Sequence, residues 1–533
     1  MNYKKFKNLS EVAKKDESYY LIGLDIGNNS TAIAYFNAAS EQPESIDLSG
    51  GYGKPSIPTV VQYIPETKEW VIGEYAVLNQ GAGIVFFDLL KRMGKNEYVE
   101  LGGRLASLAS VFSVFVKEVL LSINNINPKA EIVGIVCTVP AYFSDGEMSE
   151  LKRVFQLAGY EKELIGFVSD RECVLAEYIH SQIGVRRDIP AKLGRNAAAR
   201  ASQALNKNVS APKFDETVLV LDFGSRELRG GVYAISSTGG EAKAVCLSFY
   251  FDESVSMESL DEDVYKLFMS FLESPVREEY KEELAGFHHQ YKDMLFQKNI
   301  REKPLKLYYN FVYPPIQCVL NYSMTDRLIR PYERKFLAFV KEVVEKSKAQ
   351  DIDTVLCVGG GFEMLWAREA VCKVFAREAV RFAKSSKLVG AIGASIISAG
   401  HTGLLDINLV LEDTQKLDVD IGLYDGENFF GLAARNSFWW QKHTPKLVLV
   451  HQEVTGKLTL SLVKQASEDF MEMLDDVLLE GLPNRPKGVT CLEVGICFTS
   501  SNSLELVVRD AGFGELFPKS DYEGRFTLQL SNS

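Results

Sequence analysis

What this chain has little of narrows its class first. Its eight cysteines (Cys137, Cys173, Cys246, Cys318, Cys357, Cys372, Cys491 and Cys497) never form a Cys-x-x-Cys pair, and several fall inside apolar runs. That spacing argues against a zinc site or a disulfide framework and predicts buried free thiols in a reducing compartment. Basic residues are outnumbered by acidic ones, 59 against 71, for a net charge of −12, which gives no support to nucleic acid as a partner. No apolar run reaches the roughly eighteen residues of a membrane span, and the best candidate, Leu105 to Ile123, is broken by Ser and Lys as an amphipathic helix is. The opening MNYKKFKNLSEVAKKDES is charged throughout and lacks the apolar core of a signal peptide, so a cytoplasmic location with no membrane partner is expected.

What is present is an ordinary globular composition, 46% hydrophobic and 24% charged, over 533 residues. That length exceeds a single core and predicts roughly two to four domains. The chain is organised around Leu21 to Phe36, LIGLDIGNNSTAIAYF. Apolar residues run into Asp25-Ile26-Gly27-Asn28-Asn29-Ser30-Thr31 and resume at Ala32, which reads as strand, tight polar turn, strand. Gly and Asn accept positive φ, so backbone N–H groups in such a bend can converge on an anion, and Asp25 sits where a ligand to a metal-bound water would. The same sequence also serves as a plain turn. The stretch Val218 to Ile235, VLVLDFGSRELRGGVYAI, repeats the pattern about two hundred residues later. Two such hairpins predict similar subdomains facing a shared cleft, with Asp25 and Asp222 approaching one metal–phosphate site from opposite walls.

Between and after the hairpins the pattern is α/β. EIVGIVCTVPAYFSDGEMSELKRVFQLAGY reads as a strand ending at Pro140, a cap at Ser144-Asp145 and a helix reaching Ala158. Leu164 to His180 repeats strand, polar turn around Ser169-Asp170, helix. Residues 181–217 are rich in Ala, Asn, Ser and basic side chains and read as a mobile insertion. Glu253 to Asn299 is acidic and helical in pattern, Leu305 to Ser323 reads as strands, and Pro331 to Ala349 as a helix. DTVLCVGGGFEMLWAREAV then places Gly359, Gly360 and Gly361 between a strand and a helix, which suits a ligand approaching the backbone or a tight βα turn. From about Leu404 the chain changes character, and short alternating segments (KLVLVHQ, KLTLSLVKQ, TCLEVGICFTS, SLELVVRD, RFTLQL) predict an all-β domain over about 417–533.

Taken in order, these motifs resemble the actin-like ATPase superfamily and, within it, the DnaK-type (seventy-kilodalton heat-shock) chaperones. GLDIGNNS is similar to the family's first phosphate loop, TVPAYFSD with its helix to its first connecting segment, VLVLDFGS to its second phosphate loop, VLCVGGGFEM to its adenosine loop, and GLPNRPKGVTCLEV to a stretch of its peptide-binding domain. The resemblance implies an extension over 1–18, an actin-like α/β nucleotide-binding domain of two lobes over 19–400, a linker over 401–418, and a sandwich-like β substrate-binding domain over 419–533 without the family's C-terminal helical lid. It implies ATP or ADP with Mg²⁺: Asp25 and Asp222 holding the metal through waters, Gly27, Asn28, Asn29, Gly224 and Ser225 at the phosphates, and Lys91 orienting the attacking water. Asp170 stands for a glutamate near the metal, Lys292 for a base-binding residue, and Gly359 to Gly361 border the adenosine. Val448, Leu458 and Leu460 border a groove for unfolded or extended peptide. J-domain and nucleotide-exchange co-chaperones are the implied partners, and weak ATP hydrolysis the implied activity.

The departures point one way. Two threonines of the family's first loop are Asn28 and Asn29 here, and its Gly-Gly-Thr run is Ser225-Arg226-Glu227. An arginine that stacks on adenine is replaced by Glu363. Arg226 could offset phosphate charge, Glu227 would repel it, or both could turn to solvent. The expectation is therefore a divergent DnaK-like chaperone, with a pseudo-ATPase binding or scaffold module as the alternative.

Overall fold

The computed structural model describes residues 18–37, 40–48, 56–78, 83–143, 145–192, 214–238, 241–280, 304–310, 312–383, 385–405, 408–441, 443–467, 470–500 and 503–530. Lys292 and most of the segment 181–217 lie outside them. The chain divides into two compact units, Met1–Glu412 and Asp413–Ser533.

The first unit contains two sheets of the same plan. In one, the hairpin Tyr19–Ile26/Ser30–Asn37 is extended on one side by the antiparallel strand Gln42–Ser45 and on the other by the parallel strands Glu131–Val139 and Leu164–Ser169. In the other, Phe214–Phe223/Leu228–Thr238 is extended by the antiparallel strand Glu241–Asp252 and by the parallel strands Thr354–Val358 and Val380–Phe382. Asn408–Asp413 adds an edge strand to this second sheet. The central strands are buried along most of their length, as strands covered on both faces are.

Helices cover the sheets for reasons visible in their sequences. Leu108–Leu121 starts at Ser107, whose side chain accepts from the Ser110 N–H, and it buries Phe112, Phe115, Val116 and Val119 in the first core. Leu108–Asn125 has the hydropathy of a membrane span, but it packs as a core helix. Asp145–Ala158 follows the first parallel strand, and Asp170–Lys192 the second. Val389–His401 lies across the first sheet, where small residues allow close approach: Ala391 packs with Ala32 and Ala34, and Ala394 with Val136 and Cys173.

The helix expected from Pro331 begins nine residues earlier, at Tyr322, and runs to Ser347 with Pro331 inside it. Asn321 caps it by accepting from the Met324 N–H. Proline suits a first turn, which is why it read as a start, but the upstream cap overrides it.

The second unit is a pair of four-stranded antiparallel sheets around one core that includes Leu462, Leu479, Val494 and Leu506. One sheet has the order Phe429–Ala433, Asp420–Tyr424, Lys457–Ser467, Phe470–Glu480; the other has Lys446–Val450, Thr490–Ser500, Ser503–Asp510, Glu523–Gln529. A buried ion pair closes one end: Arg485 donates to both Asp510 carboxylate oxygens at 2.7 and 2.8 Å and to the Pro518 carbonyl at 2.7 Å.

Candidate functional site

The two hairpin turns close identically. Gly27 N–H donates to the Ser30 carbonyl at 2.9 Å, and Gly224 N–H to the Glu227 carbonyl at 3.0 Å, so each leaves a four-residue loop after its aspartate strand. The register then sets the partners of those aspartates. Asp25 faces Ala32 across the ladder, and Asp222 faces Arg229.

Arg229 draws the site together. Its guanidinium pairs with Asp170, at the start of a helix on the first sheet's side, approaches Asp222 at 3.5 Å, and donates through Nε to Glu227 at 2.6 Å. The Tyr142 ring lies 5.9 Å from the guanidinium carbon. Burial works against the Arg229 charge, but Asp170, Glu227 and Asp222 more than offset it and hold its pKa well above the ordinary value. Asp25 accepts from the Thr138 hydroxyl at 2.5 Å. Burial raises the Asp25 pKa to about 6, the Thr138 hydrogen bond pulls it back, and the charges of Asp170 and Asp222 add to the rise. Asp222 is likewise raised to about 6, by burial first, with Arg229 opposing.

Of the residues expected here, Asp25, Asp170 and Asp222 therefore come together. The glycines serve close packing around them. A Cβ on Gly390 would overlap the Asp25 carboxylate, and one on Gly359, whose φ is +87°, would overlap that of Asp222. Gly361 stacks against the Phe223 ring, whereas Gly360 faces open space. Asn28 Oδ1 is buried with no hydrogen-bond partner among the described residues, and Asn29 is exposed. The carbonyls of Gly224 and Ser225 are taken by the first turn of the helix Met257–Met269, from Met257 N–H at 3.3 Å and Glu258 N–H at 2.7 Å. Lys91 is exposed in the short turn Leu90–Arg92, with no ion pair or hydrogen bond among the described residues.

The two departures in the second loop part company. Arg226 turns to the surface, 3.6 Å from Glu253. Glu227 turns inward, 1% exposed, with Oε2 unpartnered.

These residues do not fit a divalent metal. A small cavity beside them, lined by Asp170, Asp222, Arg229 and Gly230 together with Val174, Val220, Tyr233 and Phe249 and not by Asp25 or Glu227, measures about 10 Å³. A guanidinium already pairs with Asp170 and Glu227 and approaches Asp222. Among the described residues no group of three or more His, Cys, Asp or Glu is placed to hold a metal ion.

A second candidate site lies wholly in the β unit. A groove of about 1220 Å³ runs between Tyr424–Asn428, Val448–Glu453 and Lys457–Ser461. Val448, Leu458 and Leu460 line it, but each is at least nine-tenths buried in the core. Its accessible apolar lining comes from Leu449 and Leu478, which are 37% and 49% exposed and which the sequence reading did not single out. On an antiparallel strand they occupy the positions opposite in phase to the core stripe.

Residues 42–184 match the model described as "Family of unknown function (DUF5716) C-terminal", and residues 411–530 match "Domain of unknown function (DUF8552)". The chain is 22% identical over 524 residues to the chaperone protein DnaK of Thermosipho africanus, an alignment covering 95% of this chain and 80% of that one. A distant DnaK-like relation thus extends over most of the chain. The mixed α/β sheets followed by a β unit are compatible with an actin-like ATPase body and a β domain.

Proposed function

We propose that this chain is a DnaK-like chaperone of the holding type: the β unit retains an extended apolar peptide, and the N-terminal body keeps the form of a nucleotide-binding domain with little or no ATP turnover. The observation that carries the peptide half is the groove, long and open, with Leu449 and Leu478 presenting apolar surface beside polar backbone. Arg229 carries the other half. Phosphoryl transfer needs cations and an aligned water at the terminal phosphate, and here Asp170 and Asp222 are engaged by Arg229 while Lys91 is exposed.

A second reading is favoured by the open space at Gly360. In it ATP or ADP still enters and biases peptide affinity without being hydrolysed. J-domain and nucleotide-exchange partners belong to that reading. Anisotropy of a labelled apolar peptide, with nucleotide affinity and single-turnover hydrolysis measured on the same full chain, tests both. Saturable peptide binding with no hydrolysis above the uncatalysed background supports the proposal. Hydrolysis at a steady multiple-turnover rate defeats its catalytic half, and absence of peptide binding defeats the other.

A further inference from the structure

We infer that Arg229 is a resident cation of the N-terminal cleft, standing where a divalent metal would have to stand, so that the two sheets are joined through a guanidinium and the cleft takes up no Mg²⁺. The inference rests on reading the paired hairpins as a phosphate-type cleft, and it concerns this chain's own residues.

Register makes the substitution specific. The two hairpins share one turn geometry, yet the residue opposite Asp25 is the buried methyl of Ala32 while the residue opposite Asp222 is Arg229. The small residue is packed beneath the helix Val389–His401, whereas the arginine extends to the carboxylates around it. From there the guanidinium reaches Asp170 on the far side and Glu227 in the loop just before its own strand, so one fixed charge serves three carboxylates. Arginine suits this role because its planar fork presents several donors and it stays charged when buried.

A dication brought to the same carboxylates would meet like charge at close range in a poorly screened site. The cluster has acidic capacity to spare, since Glu227 is 1% exposed and its Oε2 has no partner. Taking away the guanidinium therefore leaves Asp170, Asp222 and Glu227 around one vacated space, and carboxylate oxygens are the donors a hard divalent cation seeks.

The test uses Mn²⁺ as the probe, with the full chain titrated and free Mn²⁺ read by electron paramagnetic resonance. The wild type is expected to show no saturable site in the cleft. Arg229→Gln is expected to gain one, at least ~tenfold tighter than any wild-type binding, and to lose it in the double variant with Asp222→Asn. Arg229→Lys, which keeps the charge, is expected to gain none. A wild-type site abolished by Asp222→Asn overturns the inference, as does a folded Arg229→Gln chain that binds Mn²⁺ no better than the wild type. Should Arg229→Gln fail to fold, the wild type against Asp222→Asn still decides. Peptide anisotropy on the same samples separates this outcome from the fate of the holding function, which does not depend on it.

Discussion

Arg229 stands directly opposite Asp222 in the second hairpin and pairs across the cleft with Asp170. Its counterpart in the first hairpin is Ala32, opposite Asp25. The two hairpins thus differ at the ladder position opposite their aspartates, where a buried methyl faces Asp25 and a fixed cation faces Asp222. Most of what distinguishes this cleft electrostatically follows from that single side chain.

Stability of the N-terminal unit is expected to depend on it. Removing one member of a largely buried ion-pair network leaves the others charged without compensation, at a cost of about 3–5 kcal/mol. Arg229→Ala should lower the denaturant midpoint of the Met1–Glu412 unit accordingly, and Arg229→Lys by less. Equilibrium unfolding in urea, followed by circular dichroism, gives both values. An Arg229→Ala chain as stable as the wild type would show that the network is stabilised elsewhere.

The response of that unit to pH should run against the usual acid trend. Asp25 and Asp222 have folded pKa values raised to about 6, so the native state binds more protons than the unfolded chain between roughly pH 4 and 6. Stability contributed by these groups therefore falls as pH rises through that window and is flat above it. Each shift corresponds to roughly 2–3 kcal/mol at most. The melting temperature of the first unit should rise on going from pH 7 to 5. Asp25→Asn, which keeps an acceptor for Thr138, should flatten the profile and raise stability at neutral pH. A melting temperature that only falls on acidification would refute this.

The β unit carries the opposite linkage. Burial pushes the Asp510 carboxyl up, but hydrogen bonds from Arg485, the Gly512 N–H and Ser520 outweigh it, so its folded pKa lies below the ordinary carboxylate value. The stability it adds is present above the unfolded pKa and is lost only as pH falls through the lower folded one, below about pH 4. Asp510→Ala should cost the unit about 3–5 kcal/mol by stranding Arg485. Chemical unfolding of the variant measures it, and a loss below about 1 kcal/mol would mean that the pair contributes little beyond its own desolvation.

These differences also mark what the sequence could and could not reveal. The alternation in KLTLSLVKQ, TCLEVGICFTS and SLELVVRD is visible because one face is buried, and each segment is a strand in the structure. The strand Phe470–Glu480 escaped because it is acidic and mostly exposed. Besides Val477 and Leu479, which it buries in the core, it is joined to its neighbour by cross-strand pairs, Lys464 with Glu472, Lys457 with Glu480 and Ser461 with Asp476, a signal that exists only once the register is known. The aspartates of the cleft were legible from their place before each turn. Arg229 is legible by counting back across a four-residue loop, but the departures from the family pattern lie at Arg226 and Glu227 inside that loop. Of those two, period-two alternation puts Glu227 on the face of Arg229 and Arg226 on the other.

In the groove, a charge placed on accessible lining should act on binding without unfolding the sandwich. Leu449→Glu and Leu478→Glu are each expected to weaken apolar peptide binding by ~tenfold, the equivalent of burying one side chain less well. Unchanged affinity in both, with the fold intact by circular dichroism, would place the peptide elsewhere.

The most direct measurement is the anisotropy titration of an extended apolar peptide on the full chain, run in Mg-ATP and again in ATP with EDTA. A peptide-holding protein whose cleft carries its own cation should bind the peptide saturably, with the same affinity in both conditions. An affinity that shifts ~tenfold or more with Mg-ATP and not with ATP in EDTA would contradict the account, because it would require a metal-dependent nucleotide state in a cleft that Arg229 already fills.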